Sequence, residues 1–450
     1  MADLGIHWFR RDLRLSDNTA LSACVACGAV VPLFIHDGTG GAAQNWQLHQ
    51  ELASLAADLR AVGSRLILRI GDPATVLLQI AQETGAQYVS CQADVTDSGL
   101  GQLTAALAED GIVLAATQDS LLGRDLRMAD KPGGYRLFTP FWWRVEQMDL
   151  EFSPLIVARP PAPQHWPDSL ALDELNLCAP MQNRGQGLAT HGAFGRAGAL
   201  RRLQVFQEQG LANYQQGRDS IWPDGSSGLS TALAFGRLSV REVWAACPNP
   251  AFRRQLAWRE FAAHLWAHFP QMEQECWAEP WRSYYWETDS ETLATWQQGR
   301  TGCDIIDAAM RALWVTGRMH NRLRMVVASY LTKNLGQDWR AGQAWFADTL
   351  VDFDRASNAM GWQWVAGCGP DAAPYYRIFN PNLQADRHDP EGAFRQYWLQ
   401  GEGAAQFEAL RPASWPSSRR SAPDLKLQRQ IALGRWQVWR DGLGRTLSEA

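Results

Sequence analysis

Over the first 130 residues, short apolar runs alternate with stretches whose apolar residues return at helical spacing. The runs at 5–9, 30–35, 65–70, 88–91 and 112–116 have strand length. Between the second and third, Trp46, Leu48, Leu52, Leu55, Ala56 and Leu59 line one helix face. Strand, helix, strand in repetition predicts a doubly wound α/β domain built on a five-stranded parallel sheet. Such folds take ligands beyond the carboxyl ends of their strands. The turn Arg10-Arg11-Asp12-Leu13-Arg14 is therefore a candidate contact, with a solvated turn as the competing reading. Residues 150–200 read as a long connection, with Arg159-Pro-Pro-Ala-Pro163 and glycines at 185, 187, 192, 195 and 198. Beyond about residue 200 helical spacing dominates, as in 256–268, 305–335 and 343–359, so the second half is read as all-helical. The expected division is an α/β domain over 1–130, a linker over 131–200 and a helical domain over 201–450.

Composition adds one anomaly. The 450 residues include 22 Trp against 16 Phe and 9 Tyr, and seventeen of the Trp fall from Trp222 onward. A net charge of -5 gives no global case for a polyanion partner, yet it is unevenly spread. Residues 1–150 carry 11 basic and 17 acidic groups, whereas 201–450 carry 28 and 26, so any such site is a local patch on the second half. Eight scattered cysteines in a long chain indicate reduced thiols, and Cys24-Val-Ala-Cys27, with no second pair at zinc spacing, reads as buried small hydrophobes. No stretch approaches the roughly 20 apolar residues of a membrane span, which suggests a soluble cytoplasmic protein.

Four stretches carry chemistry. Gly38-Thr39-Gly40-Gly41-Ala42-Ala43 fits a dinucleotide fingerprint but follows the second strand instead of opening the first βα unit, which favours a simple loop. Asp224-Gly-Ser-Ser-Gly-Leu-Ser-Thr231 offers hydroxyls and backbone N–H groups to a phosphate, although an ordinary helix cap uses the same residues. Met319-His320-Asn321-Arg322-Leu323-Arg324-Met325 puts three basic groups into a largely apolar helix, and Asp352-Phe353-Asp354 is a source of partners, with Arg324 and Asp352 the natural pair. No His or further carboxylate supports a metal at that Asp pair. Within 358–381, Trp362 and Trp364 stand among glycines, a setting for a large flat ligand such as a sugar, a flavin or a base.

Together with Asp307-Ala-Ala-Met-Arg311 and the opening His7-Trp-Phe-Arg-Arg-Asp-Leu-Arg-Leu-Ser-Asp-Asn18, the blocks 319–325 and 361–381 resemble the DNA photolyase and cryptochrome family. The likeness spans nearly the whole chain and leans toward bacterial class I cyclobutane pyrimidine dimer photolyases. It implies an all-α C-terminal domain holding FAD, with Tyr214, Ser226, Ser227, Leu229 and Ser230 at the diphosphate and ribitol. Arg259, Asn321 and Arg324 would line the flavin, Asp352 and Asp354 would face its ring and ribityl end, and Asn358 would stand opposite N5. Trp362, Trp339 and Trp286 correspond to the family's electron-transfer chain, with Trp286 at the surface. Trp258, Trp364, Asn321 and Met325 match its dimer pocket, and Arg218, Arg322 and Arg377 its phosphate contacts on UV-damaged DNA. One position departs: Gln255 stands where the family has a Glu that hydrogen-bonds the lesion and can shift a proton, so repair yield is expected to fall. Gln here also occurs in the (6-4) branch, whose paired His is absent. The antenna is left open between folate, deazaflavin and none, because Thr96-Asp97 replaces the Asn-Glu pair of folate-binding relatives. A monomer is expected, and a photoreceptor of cryptochrome type is the alternative to the enzyme.

Overall fold

The computed structural model describes residues 4–118, 122, 134–148, 150 and 157–449, with side chains through 443. Five strands, β1 (Leu4–Phe9), β2 (Ala29–His36), β3 (Ile67–Ile70), β4 (Tyr88–Gln92) and β5 (Val113–Thr117), form one parallel sheet in the order β3-β2-β1-β4-β5. The order reverses at β1, as expected of a doubly wound fold. β1 and β2 are buried on both faces, which explains their continuous apolar sequence. The connecting helices start where the sequence supplies a cap: Asn18 accepts from Leu21 N at 3.0 Å, and Asp72 from Thr75 N ahead of a Pro at the first helical position.

The glycine pattern at 38–43 is a loop with a packing purpose. A Cβ on Gly41 would collide with the Ala347 carbonyl of the helical half, and Ala42 N donates to Asp348 Oδ1 at 3.0 Å. The turn after β1 is neither a plain solvated turn nor a plain ligand contact. Asp12 and Arg14 are buried, Arg14 Nη1 donates to Gly236 O at 2.8 Å and Leu13 N to Phe235 O at 3.1 Å. Arg11 bridges Asp94 at 3.4 Å and Asp354 at 3.6 Å. The turn is thus a joint between the two halves.

The stretch 131–200 contains helices, Phe138–Glu146, Gly185–His191 and Gly195–Val205, and the first of them packs into the core of the helical half. The expected boundary at residue 130 lies outside the described residues. Two helices expected as continuous are broken. The one over 305–335 stops at Thr316, because Gly317 turns left-handed at φ +65°, and restarts as Asn321–Ser329 with the His320 side chain as cap, followed by a π-turn at Tyr330–Asn334. The one over 343–359 divides into Trp339–Thr349 and Arg355–Ala366, the second capped by Asp354. Both breaks release short loops that face the same interior space. The Trp excess fills the cores of this half: Trp296 and Trp339 are fully enclosed, whereas Trp143 and Trp222 remain exposed. No helix among the described residues is long and apolar enough to cross a membrane.

Candidate active site

The two helix breaks, the loop before Ser230 and the helix Pro250–His268 enclose a cavity of 1130 Å³. That exceeds the roughly 300–1,000 Å³ of ordinary small-molecule clefts and suits a dinucleotide. Tyr214, Ser226, Ser227 and Ser230 are among its lining. Arg202 holds the loop from behind, its Nε donating to Ser227 O at 2.7 Å and its Nη2 to Ser226 O at 3.1 Å. Only glycine suits position 228, where φ is +65° and a Cβ would sit 2.6 Å from the Arg202 guanidinium. Leu229 supplies no side chain to the cavity: it is 1% exposed and packs into the core, so at most its backbone serves a ligand there.

Arg324 and Asp352 are the pair the sequence suggests. One guanidinium nitrogen, Nη2, reaches both carboxylate oxygens at 2.9 and 2.7 Å, and Nε donates to Met319 O at 2.9 Å. Burial pushes the Asp352 carboxyl up, but Arg324, the Ser230 hydroxyl and Arg318 reverse this and hold it below its ordinary 3.8. Asp354 caps the helix that follows, accepting from Ser357 N at 2.9 Å. Asn358 commits its Nδ2 to Gln343 O at 3.1 Å, which leaves the amide oxygen to the cavity. Arg259 lines the same wall. The serine hydroxyls and the cations Arg318 and Arg324 fit a diphosphate, and Asn358 and Trp362 fit the edge and surroundings of a flavin ring. The lining therefore fits FAD.

Two indoles, Trp258 and Trp364, also line the cavity. Trp258 is held flat from behind by Phe138, with ring centres 3.6 Å apart and planes 8° apart. Asn321 Nδ2 and Arg322 Nη1 approach the Met325 sulfur at 3.9 and 3.8 Å. Arg322 also pairs with Asp219 at 2.8 Å, and Arg218 lies 3.7 Å from the same carboxylate. Burial raises the Asp219 pKa, but its hydrogen bond and attraction to Arg322 outweigh that and keep it below the ordinary value. Gln255 lies in the wall, with Nε2 3.4 Å from its own helix at Ala251 O. Arg377 is outside the wall and exposed, and its carbonyl accepts from Lys333 Nζ at 3.1 Å.

Trp362 borders the cavity, while Trp339 is fully buried and Trp286 is 8% exposed, so the third indole is not at the surface as expected. All three share one apolar cluster. Sequence reasoning missed Arg318, one residue outside the recognised block, as well as Asp219 and the backing ring Phe138, which lie in stretches with no motif. In the α/β half a 530 Å³ cleft opens at the strand ends beside Trp8, Arg10 and Arg11. Thr96 and Asp97 are spent within the protein, Thr96 Oγ1 on Asp94 at 2.8 Å and Asp97 on Arg10 at 2.8 Å. Among the described residues no three His, Cys, Asp or Glu side chains gather as metal ligands.

A parallel-sheet domain joined to a helical domain, with a dinucleotide-sized cavity lined by two indoles besides its serines and arginines, defines a flavin-binding protein with room for a second flat group. Comparison with known proteins agrees. The DNA photolyase family matches residues 5–164, and the FAD binding domain of DNA photolyase matches residues 252–430. The chain is 40% identical over 411 residues to a deoxyribodipyrimidine photo-lyase of Agrobacterium fabrum, covering 86% of this chain and 85% of that one. It is 31% identical over 431 residues to Cryptochrome-2 of Arabidopsis thaliana, covering 88% and 70%. The crystal structure of a class III photolyase from Agrobacterium tumefaciens superimposes with a TM-score of 0.90 at 36% identity, covering 98% of each chain. The chain belongs to the photolyase/cryptochrome family and binds FAD through its helical domain. The class I leaning expected from the sequence draws no support from that neighbour.

Proposed function

We propose that this chain is a blue-light-driven repair enzyme that splits cyclobutane pyrimidine dimers in DNA. The observation that carries the reading is a single cavity lined both by the flavin-fitting Asp352 and Asn358 and by the indoles Trp258 and Trp364. FAD bound there in its reduced state supplies, on illumination, an electron to the lesion and recovers it after ring splitting. The chain's residues bind and orient. Arg218 and Arg322 at the rim meet phosphates of the damaged strand, and the Trp258 and Trp364 faces stack a dimer turned out of the helix. Asp219 holds Arg322 in place beforehand. Gln255 donates an amide hydrogen bond to a pyrimidine carbonyl and cannot release a proton, which predicts binding with reduced repair yield. Trp362, Trp339 and Trp286 form the path by which oxidised flavin is reduced in light.

Gln255 is also the observation that favours the second reading, a photoreceptor with little repair. Expression in a photolyase-deficient bacterium separates the two. Visible light after ultraviolet exposure raises survival if the chain repairs dimers. Equal survival in light and dark, with flavin-loaded protein present in the cells, overturns the enzyme reading.

A further inference from the structure

The enclosed position of Trp286 bears on where light-driven oxidation ends. Its indole N–H is buried with no hydrogen-bond partner, as is that of Trp362, whereas the Trp339 indole meets the Cys276 sulfur. An oxidised indole is a radical cation with an acidic N–H. Without an acceptor the proton stays, the charge remains mobile, and the electron returns readily. An endpoint needs an indole whose N–H reaches solvent.

Two more indoles continue outward from Trp286. Trp281 lies 6.3 Å from it with planes 21° apart, and Trp439 lies 4.5 Å from Trp281 with planes 35° apart. Both are partly exposed. Trp439 belongs to the C-terminal helix Leu425–Glu449, and its Nε1 donates to the exposed Ser283 hydroxyl at 3.1 Å. Tyr284 also touches Trp286, ring centres 4.7 Å apart, but its hydroxyl pairs with the Tyr375 hydroxyl at 3.0 Å. Burial pushes both phenols up, so neither serves as a base for the other.

We propose that the electron path continues from Trp286 through Trp281 to Trp439, which is the surface terminus of the chain. This rests on the reading of Trp362, Trp339 and Trp286 as the inner path. The photoexcited oxidised flavin is the oxidant and takes one electron from Trp362. Each later step oxidises the next indole outward by one electron and reduces the one inside it. At Trp439, whose partly exposed indole borders solvent, the radical cation gives its N–H proton to water and becomes a neutral radical. A small thiol in solution then returns one electron, and water returns the proton.

The test follows the tryptophan radical in oxidised, flavin-loaded full-length protein after a light flash, by transient absorption and electron paramagnetic resonance. It is run in H₂O and D₂O, with β-mercaptoethanol as the quencher. The native protein is expected to yield a deprotonated radical, formed more slowly in D₂O and quenched in proportion to thiol. Trp439→Phe keeps the packing on Trp281 and is expected to leave a radical cation that recombines several-fold faster, with a matching loss of thiol quenching. Trp281→Phe is expected to do the same from one step further in, and serves as the check if the first variant folds poorly. Unchanged lifetime, isotope effect and quenching in the folded variants overturn the extension. Trp362→Phe separates the two readings: it removes the radical altogether if the inner path is right, and a normal radical in that variant refutes the inner path itself.

Discussion

Lys333 offers a test of the helical core that does not depend on any ligand. Its side chain is 1% exposed in the π-turn after the helix Asn321–Ser329, where Nζ donates to Arg377 O at 3.1 Å and lies 5.4 Å from the centre of the Tyr375 ring. No described carboxylate pairs with it. Burial is the main cause that pushes its pKa down from 10.5 to about 7, with Cys368 pulling the other way and Arg377 adding to the fall. Because the folded value lies below the unfolded one, the contribution of this group is most favourable above pH 10.5. That contribution is lost as pH falls from there to about 7 and then levels off. At about 1.4 kcal/mol per unit, the buried ammonium costs roughly 3–5 kcal/mol at pH 7. Lys333→Met removes the titration and forfeits a hydrogen bond worth about 1 kcal/mol. The variant should therefore gain roughly 2–4 kcal/mol at pH 7, and the gain should vanish toward pH 10. Urea denaturation of both proteins from pH 6 to 10 reads the difference. A variant no more stable at pH 7, or a gain independent of pH, refutes the reasoning.

Other expectations concern the cavity. Asp352→Asn leaves Arg324 and Arg318 facing a neutral amide and should cost about 3 kcal/mol in thermal denaturation. The wild type should also lose this stabilisation as pH falls below 3.8 and through the depressed folded value, whereas the Asn variant should not show that step. Gln255→Glu should raise the quantum yield of dimer splitting while leaving dark affinity for dimer-containing DNA within a factor of a few. Phe138→Ala removes the ring that holds Trp258 flat and should reduce the preference for damaged over intact oligonucleotide, measured by competition in the dark, by about ten-fold.

Much of this molecule is legible in its sequence because its elements obey single periodicities. The central strands β1 and β2 are buried on both faces, so their apolar runs stand out, and all five strands are placed within a few residues. The pair Arg324 and Asp352 could be read because a cation in an apolar helix demands a partner. The breaks after Thr316 and Thr349 were not read, because apolar spacing resumes in phase on either side and hides the left-handed turn at Gly317. Yet those breaks deliver Arg318, His320, Asp352 and Asp354 to the cavity. The turn Arg10–Arg14 was legible only in part for a related reason: besides its nearer partners, Arg14 meets Gly236 and Arg11 meets Asp354, more than two hundred positions away, which local sequence cannot show. Exposure was the least legible property. Trp286 is covered by Trp281 and Tyr284, and Trp281 in turn by Trp439 from the far C-terminus.

The central claim is that the cavity brings a reduced flavin and a pyrimidine dimer together. It is tested most directly by illuminating reduced, flavin-loaded protein with an oligonucleotide carrying one cyclobutane dimer and following the dimer by chromatography. The account predicts light-dependent conversion to two intact pyrimidines at a yield raised by Gln255→Glu and abolished when Trp258 and Trp364 are both replaced by Ala. Retention of the dimer by both the native protein and the Glu variant, with flavin reduced throughout, would contradict it.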